Sequence, residues 1–165
     1  MQIQENISLK PYNTFGIEVN TRYYARVESV AQLTELLSMP EVKSWPRLIL
    51  GGGSNVLLTK DFEGITIHIV IKGIDVVKET ENAIYLKSGA GEVWHQFVMY
   101  CVQHNYAGVE NLSLIPGTVG AAPMQNIGAY GVEIKETFHE LQALEIDTLE
   151  LHTFTKEQCR FGYRE

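Results

Sequence analysis

The groups that could do chemistry in this chain are mostly backbone amides. From Ile115 to Gly131 it reads Ile-Pro-Gly-Thr-Val-Gly-Ala-Ala-Pro-Met-Gln-Asn-Ile-Gly-Ala-Tyr-Gly, without one Lys, Arg, Asp or Glu. Gly117, Gly120, Gly128 and Gly131 allow positive φ and close approach of another group. Ala121 and Ala122 add little bulk. Successive N–H groups in such turns form anion-binding concavities. The segment is thus suited to lay amides against a large ligand. The plain alternative is a compact connection between two elements.

A second stretch has the same character. Arg47-Leu48-Ile49-Leu50 runs directly into Gly51-Gly52-Gly53-Ser54-Asn55-Val56-Leu57-Leu58. A P-loop would end in Gly-Lys-Ser/Thr, but the first lysine after the glycines is Lys60. A dinucleotide fingerprint would need a glycine at Val56, and so would a nucleophile elbow around Ser54. What remains is a strand, three glycines and Ser-Asn. Such a turn can hold a pyrophosphate on its amides, with Ser54 and Asn55 hydrogen-bonding to it. An ordinary turn after a strand is the alternative. Gly89 and Gly91 also open like a dinucleotide motif, but Trp94 holds the third position.

His95, Cys101 and His104 invite a metal reading. His95 and Cys101 are six apart and do not share a helix face, so a core thiol and surface histidines fit better. Net charge is −7, with 20 acidic and 13 basic residues. That disfavours nucleic acid, whose binding rests on Lys and Arg. No apolar run reaches the ~18 residues that span a bilayer, and the N-terminus lacks the pattern of a secretory signal. Cys101 and Cys159 do not make a disulfide framework. A cytoplasmic monomer that binds neither nucleic acid nor membrane is expected.

The elements that must position these stretches can be read in order. Residues 7–13 form an extended approach, with Pro11 steering Lys10 away from helix. Tyr23, Tyr24, Ala25 and Val27 suggest a strand. Ser29 with Gln32 caps a helix along Val30, Leu33, Leu36 and Leu37, which Pro40 stops. Arg47–Leu50 is expected to be a short buried strand, and Ile65, Ile67, Ile69 and Ile71 alternate as another. Asp75–Val77 and Ala83–Lys87 form a meander turning near Glu81-Asn82. Glu92–Asn105 is a helix, with Val93, Trp94, Phe97, Val98, Cys101 and Val102 recurring at three and four residues. Glu140–Thr155 reads as a hairpin turning at Asp147-Thr148. Thr155 with Gln158 caps a last helical turn. The abrupt ending Cys159-Arg160-Phe161-Gly162-Tyr163-Arg164-Glu165 suggests part of a longer chain. A weak boundary falls near Ile71–Asp75, with strand and helix alternating before it and antiparallel strands after it.

Four segments now stand in a fixed order: Leu9-Lys10-Pro11-Tyr12-Asn13-Thr14-Phe15-Gly16, Gly51–Asn55, Ile115–Gly131 and Arg160-Phe161-Gly162-Tyr163-Arg164. Each is weak alone. Together, from near the N-terminus to the last residues, they resemble the UDP-N-acetylenolpyruvoylglucosamine reductases of peptidoglycan synthesis, the MurB family. The resemblance implies an α+β, two-lobed FAD-binding domain of the vanillyl-alcohol-oxidase type. A small parallel-strand lobe, 1–72, would be followed by a larger antiparallel-sheet lobe, 73–165. The family's C-terminal substrate domain, with its proton-donating serine and catalytic glutamate, has no counterpart in these residues. Neither Ser54 nor Glu165 should be promoted to those roles.

The resemblance further implies FAD as cofactor and NADPH as reductant. The reaction would carry a hydride to the enolpyruvyl double bond of a UDP-sugar. Backbone amides of the two glycine-rich stretches would hold the flavin's pyrophosphate and ribityl chain. The residues implied are Gly51, Gly52, Gly53, Ser54, Asn55, Val56 and Leu57. From the second stretch they are Ile115, Pro116, Gly117, Val119, Gly120, Ala121, Ala122, Gln125, Asn126, Gly128, Ala129 and Gly131. Arg164 matches the catalytic arginine. Tyr163 would stand beside the substrate, and Tyr130 would line the same cleft or serve packing. Without the substrate domain this chain is expected to bind flavin and lack turnover. The competing expectation is a stand-alone module for a nucleotide diphosphate, without redox chemistry.

Overall fold

The computed structural model describes residues 2–162. In chain order these residues form β1 (Ile3–Ser8), a 3-10 turn (Lys10–Tyr12) and β2 (Asn20–Val27). Then come α1 (Val30–Ser38), α2 (Pro40–Ser44), β3 (Arg47–Leu50) and β4 (Phe62–Ile69). The second half holds β5 (Ile74–Glu79), β6 (Ile84–Ser88), α3 (Trp94–Gln103) and 3-10 helices at Glu110–Leu112 and Val119–Gln125. It continues with β7 (Gly128–Ala129), β8 (Val132–Glu133), a 3-10 turn (Ile134–Glu136), β9 (Glu140–Leu144), β10 (Leu151–Thr155) and α4 (Lys156–Cys159).

The first half is one four-stranded sheet, ordered β1-β2-β4-β3. β2 and β3 each pair parallel to β4, while β1 pairs antiparallel to β2. Strand alternation divides β2 and β4 between two faces. Ala25, Val27, Ile65 and Ile67 face Leu36 and Leu37 of α1 and Val42 of α2, all buried. Full burial of such aliphatic side chains stabilises the fold by about 1.5–3 kcal/mol each. On the other face Tyr24 joins Leu9 and Val19, and Thr66 Oγ1 donates to Thr21 Oγ1 at 2.9 Å.

The caps work as expected. Ser29 Oγ accepts from the Gln32 N–H at 3.2 Å. Gln158 Oε1 accepts from the Thr155 N–H at 2.8 Å, completing the box that opens α4. Pro40 ends α1 but also opens α2, since a proline at the first turn of a helix loses nothing. Pro11 likewise sits inside a 3-10 turn, where an extended segment was expected. In β3 only Leu50 is buried, because β3 is an edge strand and Ile49 is 48% exposed.

The second half has antiparallel pairs rather than one large sheet: β5 with β6, β7 with β8, and β9 with β10. Its core is Trp94, Val98, Leu112, Ala122, Ile127 and Ile134. The β9–β10 hairpin leans elsewhere, with Leu144, Ile146 and Leu149 packing against the core of the first sheet. Among the described residues no helix is long and apolar enough to cross a membrane.

Candidate functional site

The first glycine-rich turn leaves the carboxyl end of β3, where open sheets with parallel strands place their ligands. Its shape is imposed from behind. Gly53 has φ +62, and a Cβ there would lie 1.9 Å from the Tyr12 carbonyl oxygen. Only glycine fits. His68, next to Leu50 in the sheet register, stands behind the same turn. Its Nδ1 is 2.7 Å from the Tyr24 hydroxyl, and the Tyr12 ring lies edge-on at 5.1 Å. Burial, with help from Arg26, pushes the His68 pKa down, so the neutral ring is favoured.

The second stretch is hooked onto the start of α3 by backbone bonds. Trp94 N–H donates to Gly117 O at 3.0 Å, Val119 N–H to Glu92 O at 2.9 Å and Gly120 N–H to Ala90 O at 2.9 Å. Inside the second core Trp94 Nε1 donates to Leu112 O at 2.7 Å. Gly89 and Gly91, which imitate a nucleotide motif, lie against the backbone of Val70–Lys72.

The two stretches meet. A Cβ on Gly52 would lie 3.2 Å from Gly117 Cα, and one on Gly117 would lie 3.1 Å from Ser54 Oγ. Asn55 Nδ2 donates to Gln125 Oε1 at 3.4 Å. Between them opens a cleft of about 360 Å³, a typical volume for a cofactor or ligand site. No charged residue lines it. Among the described residues, nothing accepts a hydrogen bond from the amides of Gly52, Gly53, Ser54, Asn55, Gly117 or Thr118. Amides left free in a protein usually meet water or a ligand. Here they gather on two facing walls, an arrangement that suits a diphosphate and a polyol chain. FAD carries both, so the residues fit that cofactor.

Of the residues expected to touch cofactor, the cleft brings together Gly51–Val56, Pro116, Gly117, Ala121, Ala122 and Gln125. Leu57, Ile115, Val119, Gly120, Asn126, Gly128, Ala129 and Gly131 lie off its lining. Tyr130 is at the β7–β8 turn with φ 53, 88% exposed and also off the lining. Tyr163 and Arg164 lie outside the described residues. The cleft adds Ile49, Leu50, Trp94, Thr118, Met124 and Ile127. Thr118 and Met124 lay within the quoted motif, whereas Ile49 and Trp94 read as strand and helix core and gave no sign of a site.

The His95/Cys101/His104 metal reading finds no support. His95 Nδ1 accepts from the Leu114 N–H at 3.3 Å, and His104 Nδ1 is 2.8 Å from Tyr100 O. Burial pushes the Cys101 thiol up to about 11, as for a protonated core thiol.

An FAD binding domain family matches residues 21–149. Over all 165 residues the chain is 55% identical to a UDP-N-acetylenolpyruvoylglucosamine reductase of Amoebophilus asiaticus and 52% identical to one of Flavobacterium johnsoniae. It covers 49% and 48% of those proteins, so it spans about half the length of the curated relatives it matches. The crystal structure of the Thermus caldophilus reductase, MurB, superimposes with a TM-score of 0.77 at 23% identity, covering the whole chain and 56% of that protein. That likeness shows the α+β fold, and the family match makes it that of an FAD binding domain.

Proposed function

The chain belongs to the FAD binding domain family, and on that premise we propose that it is the flavin-binding part of a UDP-N-acetylenolpyruvoylglucosamine reductase. The observation that carries this reading is the pair of uncharged, amide-bearing walls facing one cleft. The whole enzyme would use NADPH to reduce the enolpyruvyl group of a UDP-sugar, giving UDP-N-acetylmuramate for peptidoglycan, as a cytoplasmic monomer. We place the lobe boundary at 72/73. The β9–β10 hairpin then crosses back to brace the first lobe through Leu144, Ile146 and Leu149.

When bound, FAD supplies the hydride chemistry between reductant and substrate. The protein's own part is binding, orientation and electrostatics. Amides of Gly52–Asn55 on one wall and Gly117–Thr118 on the other would hold its phosphates, with the Ser54 hydroxyl and Asn55 amide available to hydrogen-bond them. Ile49, Trp94 and Ile127 supply apolar surface and keep water out. Gly120, Gly128, Ala129 and Gly131 shape the second wall from outside the lining, and Leu57 and Ile115 flank the two walls. Arg164 is assigned the fixed cation beside the carboxylate of the substrate. There it stabilises an enolate-like charge that exists in the transition state and not in the ground state. Tyr163, its neighbour in sequence, is assigned to substrate contact, and Tyr130 to the outer rim.

Titrating the purified chain with FAD tests the reading. A shifted flavin absorbance near ~450 nm and calorimetric binding are expected. A folded chain that leaves the flavin spectrum unchanged refutes it. Binding of the UDP-sugar in preference to FAD would favour the nucleotide-diphosphate module instead.

A further inference from the structure

The segment Leu9–Gly16 is off the cleft lining, yet it backs the first wall. Asn13 fixes its shape. The residue is buried, its Nδ2 donates to Leu9 O at 2.8 Å and to Ile17 O at 3.0 Å, and its Oδ1 accepts from the Ile17 N–H at 3.0 Å. From this loop Thr14 gives its backbone N–H, at 3.1 Å, and its hydroxyl, at 3.4 Å, to the Gly53 carbonyl. His68 does the same for Gly51. Burial and Arg26 lower the pKa of its ring, while a hydrogen bond to the Gly51 backbone raises it. A bond that raises an imidazole pKa is one that a ring N–H donates, so it ends on the Gly51 carbonyl. Nδ1 faces the Tyr24 hydroxyl at 2.7 Å, which leaves Nε2 for Gly51.

These holds have a direction. In a planar trans peptide the carbonyl of one residue and the N–H of the next point opposite ways. A Gly51 carbonyl held from behind therefore aims the Gly52 N–H forward, and a held Gly53 carbonyl aims the Ser54 N–H forward. Gly52 and Ser54 both line the cleft, and neither N–H finds an acceptor among the described residues. The hold on Gly51 is the more critical. Flipping the peptide between Gly51 and Gly52 turns ψ of one glycine and φ of the next, and glycine takes either sign of φ readily. Local sterics do not choose between the two faces, so the choice falls to the ring. We propose that His68 is a positioning residue for cofactor binding: its Nε2–H holds the Gly51 carbonyl behind the turn and so points the Gly52 amide at a phosphate of the bound dinucleotide. This rests on the FAD reading above.

The test compares His68→Leu with His68→Gln in the full-length protein that carries this chain. Leucine has no donor for Gly51, whereas the glutamine amide can donate to Gly51 and accept from Tyr24. FAD affinity, read by flavin fluorescence, should fall by ~10–100-fold in His68→Leu, the worth of one hydrogen bond to a charged group. It should stay within about threefold in His68→Gln. In 15N-labelled protein the Gly52 amide proton should move downfield when FAD is added to wild type or His68→Gln, and should stay in place in His68→Leu. That shift reports where the amide points, which a purely structural role of the ring would not change. The wild-type ring itself should show the neutral tautomer with its proton on Nε2.

His68→Leu that binds FAD within about twofold of wild type, with the Gly52 shift intact, would overturn the proposal. Equal losses in both variants would overturn it too, since the ring would then matter by its shape and not by its N–H. Should His68→Leu fail to fold, a tenfold loss in His68→Gln or a wild-type ring protonated on Nδ1 would still refute it. Wild-type protein that binds no FAD would sink the cofactor reading first and this inference with it.

Discussion

Gly51–Asn55 and Pro116–Gln125 line one cleft but are held there by different means. The first is fixed chiefly by packing, with one backbone bond, Thr14 N–H to Gly53 O at 3.1 Å. It follows the buried Leu50 and presses against the Tyr12 carbonyl, with His68 and Tyr24 behind it. The second is hung on backbone hydrogen bonds to residues 90–94, has no sheet beneath it, and reaches the second core only through Ala122 and Val119. A packed turn cannot yield without disturbing a core, whereas a bonded one can shift by exchanging partners. The first wall should therefore report changes as lost stability and the second as lost affinity.

The largest effect expected is from Gly53→Ala. The new Cβ would meet a backbone oxygen at 1.9 Å in a left-handed conformation, and no flexible side chain stands there to move aside. We expect a loss of about 3–5 kcal/mol, at the top of the range for single substitutions. Urea unfolding followed by circular dichroism measures it. A loss below about 1 kcal/mol would mean that the first wall yields as readily as the second.

Gly117→Ala is the counterpart on the second wall. Its φ of +119 is costly for any L side chain, and the Cβ would stand 3.1 Å from Ser54 Oγ, which can rotate away. Stability should fall by about 1–3 kcal/mol. Affinity for FAD should fall as well, by about tenfold or 1.4 kcal/mol, because two facing amides are displaced. Fluorescence titration against the unfolding midpoint separates the two. A stability loss equal to that of Gly53→Ala, with affinity intact, would erase the distinction.

The same contrast explains what could be read from the chain alone. Packed elements announce themselves. The isoleucine alternation gave β4, Ser29 with Gln32 gave the start of α1, and the hairpin and its capping box gave β9, β10 and α4. Bonded elements do not. The 3-10 helix Val119–Gln125 and its left-handed close at Asn126 follow no 3.6-residue period, so their composition pointed to a ligand without giving a shape. β1 was hidden because Ile3 and Ile7 are its only apolar residues, too sparse an alternation to mark a strand. Ile49 reads as core in the sequence because an apolar side chain looks the same whether it faces other side chains or the floor of a cleft. Glycines were legible as close approaches, but whether a ligand or another loop made the approach was not. At Gly52 it is Gly117 that comes within van der Waals distance.

A smaller effect should appear with pH, and only behind the first wall. Burial, aided by Arg26, lowers the His68 pKa below its usual value of 6.5. The sign follows from proton uptake. Above 6.5 the ring is neutral whether the chain is folded or not, so stability does not depend on it. As pH falls below 6.5 the unfolded chain binds a proton that the folded one still refuses, and stability is lost down to the folded pKa. The urea midpoint of the wild type should therefore drop between pH 7.5 and 5.5 by more than that of His68→Gln. The Tyr24 hydroxyl, the Tyr12 ring, the Arg26 charge and the Gly51 backbone all act on this ring, and the Gly51 hydrogen bond opposes the shift without reversing its sign. Equal drops in both proteins would remove His68 from the support of the first wall.

The least effect is expected where the two walls share a side-chain bond. Asn55 Nδ2 reaches Gln125 Oε1 at 3.4 Å, a long bond between two exposed residues. Water can replace either partner, so Asn55→Ala should change stability by no more than about 0.5 kcal/mol. If the walls are positioned independently, one by packing and one by backbone bonds, cutting this link should leave the Gly53 and Gly117 effects additive within about 0.5 kcal/mol in the combined variants. Strong non-additivity through Asn55 would show instead that the cleft is a single cooperative unit, and the difference in support between its walls would cease to matter.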